Sequence, residues 1–342
     1  YHLVNLGIHA LAAAVLFSLI RSIFQLPNLG TRYQSQAEAI ALLATTFWAL
    51  HPLNVTAVTY IVQRMASMAA LFYLLALYCY VKGRLATSNW HRVFLYSACI
   101  VSGVAAMATK ENAFMLPISI LALELYLIQT PAVRVPRWLK AAALTIICVF
   151  SVYIFYKLSA GELLGGYENR SFTLMQRLLT QPRILIFYLG VFVYPTSSRL
   201  MLLHDPVVST GLLSPWSTLR ALLMVGIAIV LAVVMRKRFP FESFALLFFF
   251  LNHAIESSII PLEMVYEHRN YLPTTLLCVL LAKGFMSLLE YFRRSRLVFL
   301  LLVLTGAFLM GANGHSTHLY NDVLKTNLGL WLDNVRKAPE LS

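Results

Sequence analysis

Apolar residues run along this chain in long blocks, and the polar residues gather between the blocks instead of alternating with the apolar ones. Ten blocks approach the length at which a helix crosses a bilayer, about 17–25 residues. They are 3–20, 37–51, 65–81, 93–108, 113–129, 138–157, 218–235, 241–255, 272–289 and 297–312. The pattern predicts an all-α fold, a polytopic transmembrane helix bundle of about ten crossings. A further block, 183–195 (RILIFYLGVFVYP), is barely long enough to span. It is expected as a re-entrant or half helix packed against the bundle, where irregular backbone at membrane depth is tolerated.

The charges between the blocks decide the topology. Basic residues collect at Arg21/Arg32, Lys82/Arg84/Arg92, Arg134/Arg137/Lys140, Arg236/Lys237/Arg238 and Arg293/Arg294/Arg296. Placing all of these on the cytoplasmic side satisfies the positive-inside rule and puts the C-terminal end outside, in periplasm or lumen. A crossing at 183–195 would break that arrangement. Of the 14 acidic residues, Glu38, Glu242 and Glu290 lie by the basic loops and Glu124 lies within a block. The others (Glu111, Glu162, Glu168, Asp205, Glu256, Glu263, Glu267, Asp322, Asp333 and Glu340) all fall on the outer side. The two signs of charge point to the same topology.

Composition agrees. Of 342 residues, 59% are hydrophobic and 12% charged, with a mean hydropathy of +0.73. That charged share is about half of what soluble domains carry. The net charge of +13 is spent on topology, so it is no nucleic-acid footprint. Cys79, Cys99, Cys148 and Cys278 lie in apolar blocks without paired spacing and read as buried small hydrophobes. The chain opens inside an apolar helix without an initiator Met, which leads us to expect a fragment of a longer protein. Residues 1–312 form the expected membrane domain. Residues 313–342 form an outer helical segment, with Leu324, Leu328, Trp331 and Val335 on one face.

Four outer segments hold the unusual polar residues. In HPLNVTAVTYIVQRM (51–65), His51 and Arg64 either flank a proline-capped turn with an interfacial helix or face an outer cavity. In TKENA (109–113), Lys110 sits beside Glu111 in a tight outer turn, against the charge bias, and so calls for a partner or a purpose. In 158–217, Arg177 is a candidate for phosphate, or belongs to a basic helix lying beside acidic lipid headgroups. Arg183, six residues on, points to another face, and LLHDP adds His204 and Asp205.

The fourth segment is HAIESSIIPLEMVYEHRNYLP (253–273). Glu263 and Glu267 would share a face if it were helical. With His253 or His268 they make an incomplete ligand set, so a divalent metal is not favoured and no cofactor is called for. Arg269 is the better phosphate clamp, because a guanidinium meets phosphoryl oxygens bidentately. A purely structural ion-pair cluster is the alternative. Tyr266 and Tyr271 suit a membrane interface. Glu124 and Lys283 lie inside blocks and need a partner, a cavity or a route to the inner surface.

Several of these stretches together resemble a known family. YHLVNLGIHALAAAVLF, HPLNVTAVTYIVQRMASMAALFYLLALY, ATKENAFMLPISILALELY and PLEMVYEHRNYLP resemble bacterial membrane proteins with C-terminal tetratricopeptide repeats. Those are similar to the transmembrane and tetratricopeptide-repeat O-mannosyltransferases. The resemblance implies the GT-C glycosyltransferase architecture. It also implies transfer of a sugar from a polyprenyl-phosphate carrier to a protein or glycan acceptor, on the periplasmic face of a bacterial inner membrane. It places His51, Arg64, Lys110, Glu111 and Arg269 around an outer cavity. With Arg177 and His268, the basic members are the expected phosphate-binding set, while Glu111, Asp205 and Glu267 are candidate acids that orient the acceptor. The main catalytic acid of the family would lie upstream of Tyr1. Asn54 and Thr56 stand where many relatives carry His and Glu, and residues 313–342 are expected to lead into a truncated tetratricopeptide-repeat domain. Two other readings are a non-catalytic membrane anchor for a repeat domain and a lipid-linked-sugar transporter. The crowding of polar groups on one face disfavours transport.

Overall fold

A computed structural model describes residues 1–26, 29, 31–129, 135–159, 161 and 165–339. Arg134, Glu162 and Glu340 lie outside the described residues, as does the side chain of Arg32. The regular elements among the described residues are all helices, with no strand. The main helices are α1 (His2–Phe24), α2 (Thr31–Ala49), α3 (Val55–Thr59), α4 (Arg64–Leu85), α5 (Asn89–Thr109) and α6 (Leu116–Leu123). They continue with α7 (Arg137–Ser159), α8 (Leu174–Val193), α9 (Ser217–Val234), α10 (Pro240–His253), α11 (Thr275–Tyr291), α12 (Arg296–Val323) and α13 (Asn327–Lys337).

Seven helical stretches are long and apolar enough to cross a membrane, and α2 with α3 makes an eighth if the pair, bent by 57°, counts as one span. Of the ten expected blocks, those at α10 and α11 fall short, with 14 and 17 residues. At about 1.5 Å per residue, α10 is about 21 Å long against a hydrocarbon core of about 30 Å. α10 and the first half of α11 are packed inside the bundle, where length matters less than contact. α10 buries Phe241, Phe244, Phe248 and Phe249. The outer helices carry the opposite signature. Leu223, Met224, Ile227 and Val230 on α9, and Leu300, Leu301, Leu304 and Phe308 on α12, are exposed. An apolar surface of that extent has no place in water. The chain is an integral membrane protein.

Ion pairs define two ends of the bundle. At one end, Arg21 pairs with Glu38 at 2.8 Å, Gln36 donates to Glu290 at 3.0 Å, and Lys283 pairs with Glu242. Nearby, Glu124 takes hydrogen bonds from Tyr80 (2.7 Å) and Arg84 (2.8 Å) at a single π-helical turn, Glu124–Ile128. The in-block charges Glu124 and Lys283 are therefore paired, as an apolar setting requires. Close packing of α4 on α5 goes with this cluster, because a Cβ on Gly83 would meet the Tyr96 ring at 2.7 Å.

The opposite end holds the polar loops, and α8 lies along it. Residues 183–193 form the second half of the 20-residue α8, which starts at a capping box between Thr173 and Gln176. Near its start, Arg177 bonds the loop after α10, and near its end the Phe192 carbonyl meets His51 at 3.0 Å. Both ends of α8 thus touch the same end of the bundle, which fits a helix that lies along that end.

Other expectations are corrected. Cys148 is exposed, on α7, while Cys79, Cys99 and Cys278 are buried. Residues 51–57 do not form an interfacial helix. They tuck inward as a 3₁₀ turn (Pro52–Asn54) and α3, with Asn54 and Thr56 buried. α12 runs unbroken from Arg296 to Val323. On α13, Leu328, Trp331 and Val335 face outward, and Leu330 and Asn334 face the protein.

Candidate functional site

The polar end of the bundle is built around Glu256, which sits in the non-helical segment between α10 and a short 3₁₀ turn, Glu267–Asn270. The residue is 2% exposed. Lys110 reaches it from the turn between α5 and the next 3₁₀ turn, with Nζ 2.5 Å from Oε1. Arg269 approaches the other oxygen, with Nε at 3.9 Å from Oε2, beyond hydrogen-bond range. Glu256 Oε2 makes no hydrogen bond among the described residues. The backbone carbonyl of Glu256 accepts from Arg177 Nη2 at 2.6 Å. Two buried cations therefore meet one buried carboxylate, and a third holds the backbone of the same residue.

Electrostatics follow from this geometry. Burial alone would raise the Glu256 carboxyl, but Lys110 and Arg269 more than reverse that, so it titrates below its ordinary range. Burial, with the nearby Lys110 charge, pushes His268 down to about 3, and its ring stays neutral. Tyr266 stacks on His268 at 5.1 Å between centroids and lies under the Arg269 guanidinium, also at 5.1 Å. Tyr188 of α8 fixes that segment by donating to the Tyr266 carbonyl (3.1 Å) and accepting from its N–H (2.9 Å).

The expected residues separate into distinct groups. Lys110, His268 and Arg269 come together in the cluster. Arg177, also adjacent, spends its guanidinium on carbonyls: Glu256 at 2.6 Å, Ser258 at 3.0 Å, Glu263 at 3.4 Å, and Leu262. It is a staple for the 256–263 loop, and its donors are taken. Arg269 also donates to the Glu263 and Met264 carbonyls, at 2.8 and 3.1 Å, through Nη1. His51 is buried with both ring nitrogens engaged, Nε2 on Phe192 and Nδ1 on the Leu53 N–H, so it caps the Pro52 turn and does not line a cavity. Arg64 bonds Asn5 at 2.6 Å and lies 5.4 Å from the Tyr1 ring, away from Glu256.

The expected acids divide as well. Glu267 is a buried anchor that accepts from Met201 N–H (2.7 Å) and Tyr320 OH (2.9 Å), with His204 at 3.4 Å. Glu111 and Asp205 are exposed. Asp205 borders a cavity of about 430 Å³ together with Arg183, His204 and Lys337. Glu263 pairs with Arg170 at the surface, away from Glu267. Residues 260–266 are not helical, so the shared face expected for Glu263 and Glu267 does not form. No group of three or more metal-ligating side chains comes together among the described residues. Tyr271 is 1% exposed, which removes it from any interface belt. Its carbonyl accepts from the Trp48 indole N–H (3.0 Å) and its hydroxyl meets His9 at 2.6 Å.

An apolar groove of about 810 Å³ runs between α2, α11 and α12, lined by Leu43, Phe47, Leu280, Phe285 and Met310, with Tyr194–Thr196 at its rim. α8 joins this rim to Tyr188 and so to the segment carrying Arg269. Sequence reasoning gave no role to Glu256, Tyr188, His9 or Tyr320. The i, i+3 spacing of His253 and Glu256 was the one local hint. No protein-family model matches this chain, and neither a curated protein nor a solved structure does.

Proposed function

We propose that this protein is a GT-C-like membrane glycosyltransferase that takes a sugar from a polyprenyl-phosphate carrier, with Lys110 and Arg269 receiving the carrier's phosphate. The observation that carries this reading is the surplus of positive charge buried beside Glu256. Lys110 and Arg269 converge on the Glu256 carboxylate, and Arg177 on the Glu256 backbone carbonyl, inside an apolar protein. Uncompensated charge in a low-dielectric setting is costly, so such a cluster favours an added anion. A phosphate with several acceptor oxygens suits a guanidinium and an ammonium better than a single carboxylate does. Cations placed there stabilise the phosphate that leaves as the sugar is transferred.

The groove between α2, α11 and α12 supports a long isoprenoid chain lying beside that headgroup, because it is apolar and opens along the membrane-facing helices. Glu111, exposed next to Lys110, is the acid we assign to the acceptor side. With α10 and α11 taken as short crossings inside the bundle, the fold carries about ten crossings and the polar end faces the periplasm, as the basic loops require.

A second reading is favoured by the closure of the cluster. Lys110, Glu256, His268 and Arg269 are all buried, as they would be in a rigid scaffold whose charges serve only the fold. Native mass spectrometry of the purified protein with polyprenyl-phosphate sugars separates the two. The transferase reading expects a bound carrier that is lost in Arg269→Ala. Wild-type protein that binds no such lipid would leave the scaffold.

A further inference from the structure

We propose that Glu256 is a built-in stand-in for a ligand's phosphate, seated between Lys110 and Arg269 and displaced as a side chain when a phosphate enters. This inference rests on the reading that Lys110 and Arg269 receive a phosphate, and it adds a regulation to that site.

The first argument is the poor fit of the carboxylate. Oε1 is bonded to Lys110 at 2.5 Å, yet Oε2 stands 3.9 Å from Arg269 and makes no hydrogen bond among the described residues. A carboxylate evolved only as a counter-ion would be expected to satisfy both oxygens, since an unmet buried acceptor is costly. The second is the charge count. Glu256 is the one carboxylate paired with either Lys110 or Arg269 among the described residues, and Arg177 adds a third cation with no carboxylate of its own. A phosphate carries at least as much charge as a carboxylate and more acceptor oxygens, so it meets both cations at once.

The third argument is mechanical. Glu256 lies outside any regular helix, and its backbone is held independently of its side chain. Arg177 grips its carbonyl, Tyr167 grips that of Ile259 at 2.6 Å, and Arg170 grips that of Pro261 at 3.1 Å. The loop therefore keeps its path while the Glu256 side chain turns away from Lys110. The exchange would make binding selective for anions able to outcompete an internal carboxylate, which neutral lipids cannot do.

The test compares binding of undecaprenyl phosphate and of inorganic phosphate to the intact protein in nanodiscs. Glu256→Gln removes the competing charge and is expected to bind undecaprenyl phosphate about tenfold more tightly. Glu256→Asp keeps the charge and is expected to stay near wild type. Lys110→Gln and Arg269→Gln are expected to weaken binding by at least about 30-fold. Inorganic phosphate that competes at equal affinity supports the stand-in with a free anion as its ligand. Glu256→Gln binding no better than wild type, while Lys110→Gln and Arg269→Gln lose the lipid, overturns the stand-in and leaves the phosphate reading intact. Binding unchanged in all variants overturns both.

A measurement on unaltered protein covers the case in which the Gln variant does not fold. Dicyclohexylcarbodiimide joins contacting Lys and Glu side chains as an amide, so mass spectrometry can follow the Lys110–Glu256 cross-link. Its yield is expected to fall on adding undecaprenyl phosphate but not undecaprenol. A yield unmoved by saturating undecaprenyl phosphate overturns the proposal.

Discussion

Replacing Arg177 by Lys tests how the polar end is held together. The guanidinium is fully buried and donates to four carbonyls of one loop, those of Glu256, Ser258, Leu262 and Glu263. A lysine ammonium keeps the charge but sits at a single point, and its three donors cannot span carbonyls spread over eight residues of loop, 256–263. At least one carbonyl loses its partner. Hydrogen bonds to a charged group contribute about 1.5–3 kcal/mol each, and disrupting a buried charged network costs about 3–5 kcal/mol. Taking about 4 kcal/mol, the loop's opening equilibrium rises by about a thousandfold. Hydrogen exchange read by mass spectrometry over 254–266 is the assay, with the α4–α5 pair as an internal control. The account expects faster exchange confined to the loop and its α8 neighbours. Exchange within a factor of about three of wild type would mean that Arg177 is not the staple described here.

Three further outcomes follow from named contacts. Folding stability is expected to fall on acidification in two stages. The unfolded His268 takes up a proton near 6.5 while the folded ring resists until about 3, so stability is lost across that window. Glu256, whose folded carboxyl titrates below 4.5, adds a loss as the pH falls below the ordinary carboxylate range. Thermal unfolding in detergent between about pH 3 and 8 checks this, and His268→Asn should shrink the upper stage alone, with the other buried histidines keeping the remainder. Glu124→Ala leaves the Arg84 guanidinium and the Tyr80 hydroxyl without their shared acceptor. A cost of about 3–5 kcal/mol is expected from denaturant unfolding, against little change in lipid binding. Glu267→Gln weakens the bonds from Met201 and Tyr320 by about 1–3 kcal/mol, which should loosen the outer end of α12 in hydrogen exchange without abolishing carrier binding.

The membrane class was legible because hydrocarbon imposes long apolar blocks on any helix that crosses it. Nothing so strict governs helices that neighbours cover. α10 and α11, at 14 and 17 residues, looked like the other crossings in sequence and differ in length only once built. Charge bias singled out Lys110 correctly as a lysine in need of a partner. The partner lies 146 residues away at Glu256, and no local pattern encodes a contact across that separation. Arg177 looked like a phosphate ligand because a side chain's type does not reveal whether its donors are already spent on carbonyls. The same blindness made Glu267 look like an acid and Tyr271 like an interface residue, when each is a buried anchor with its own partners. On α13 the periodicity was visible, but which face meets the protein depends on contacts such as that of Lys337 with the Leu200 carbonyl at 2.8 Å.

The central claim is that a phosphate joins the buried cations at the polar end. A cryo-electron microscopy structure of the protein in nanodiscs with undecaprenyl phosphate addresses it most directly. The account predicts phosphate density within about 4 Å of both Lys110 Nζ and Arg269, with the isoprenoid chain in the groove between α2, α11 and α12. Phosphate density elsewhere on the protein, with Glu256 still closed on Lys110, would contradict it.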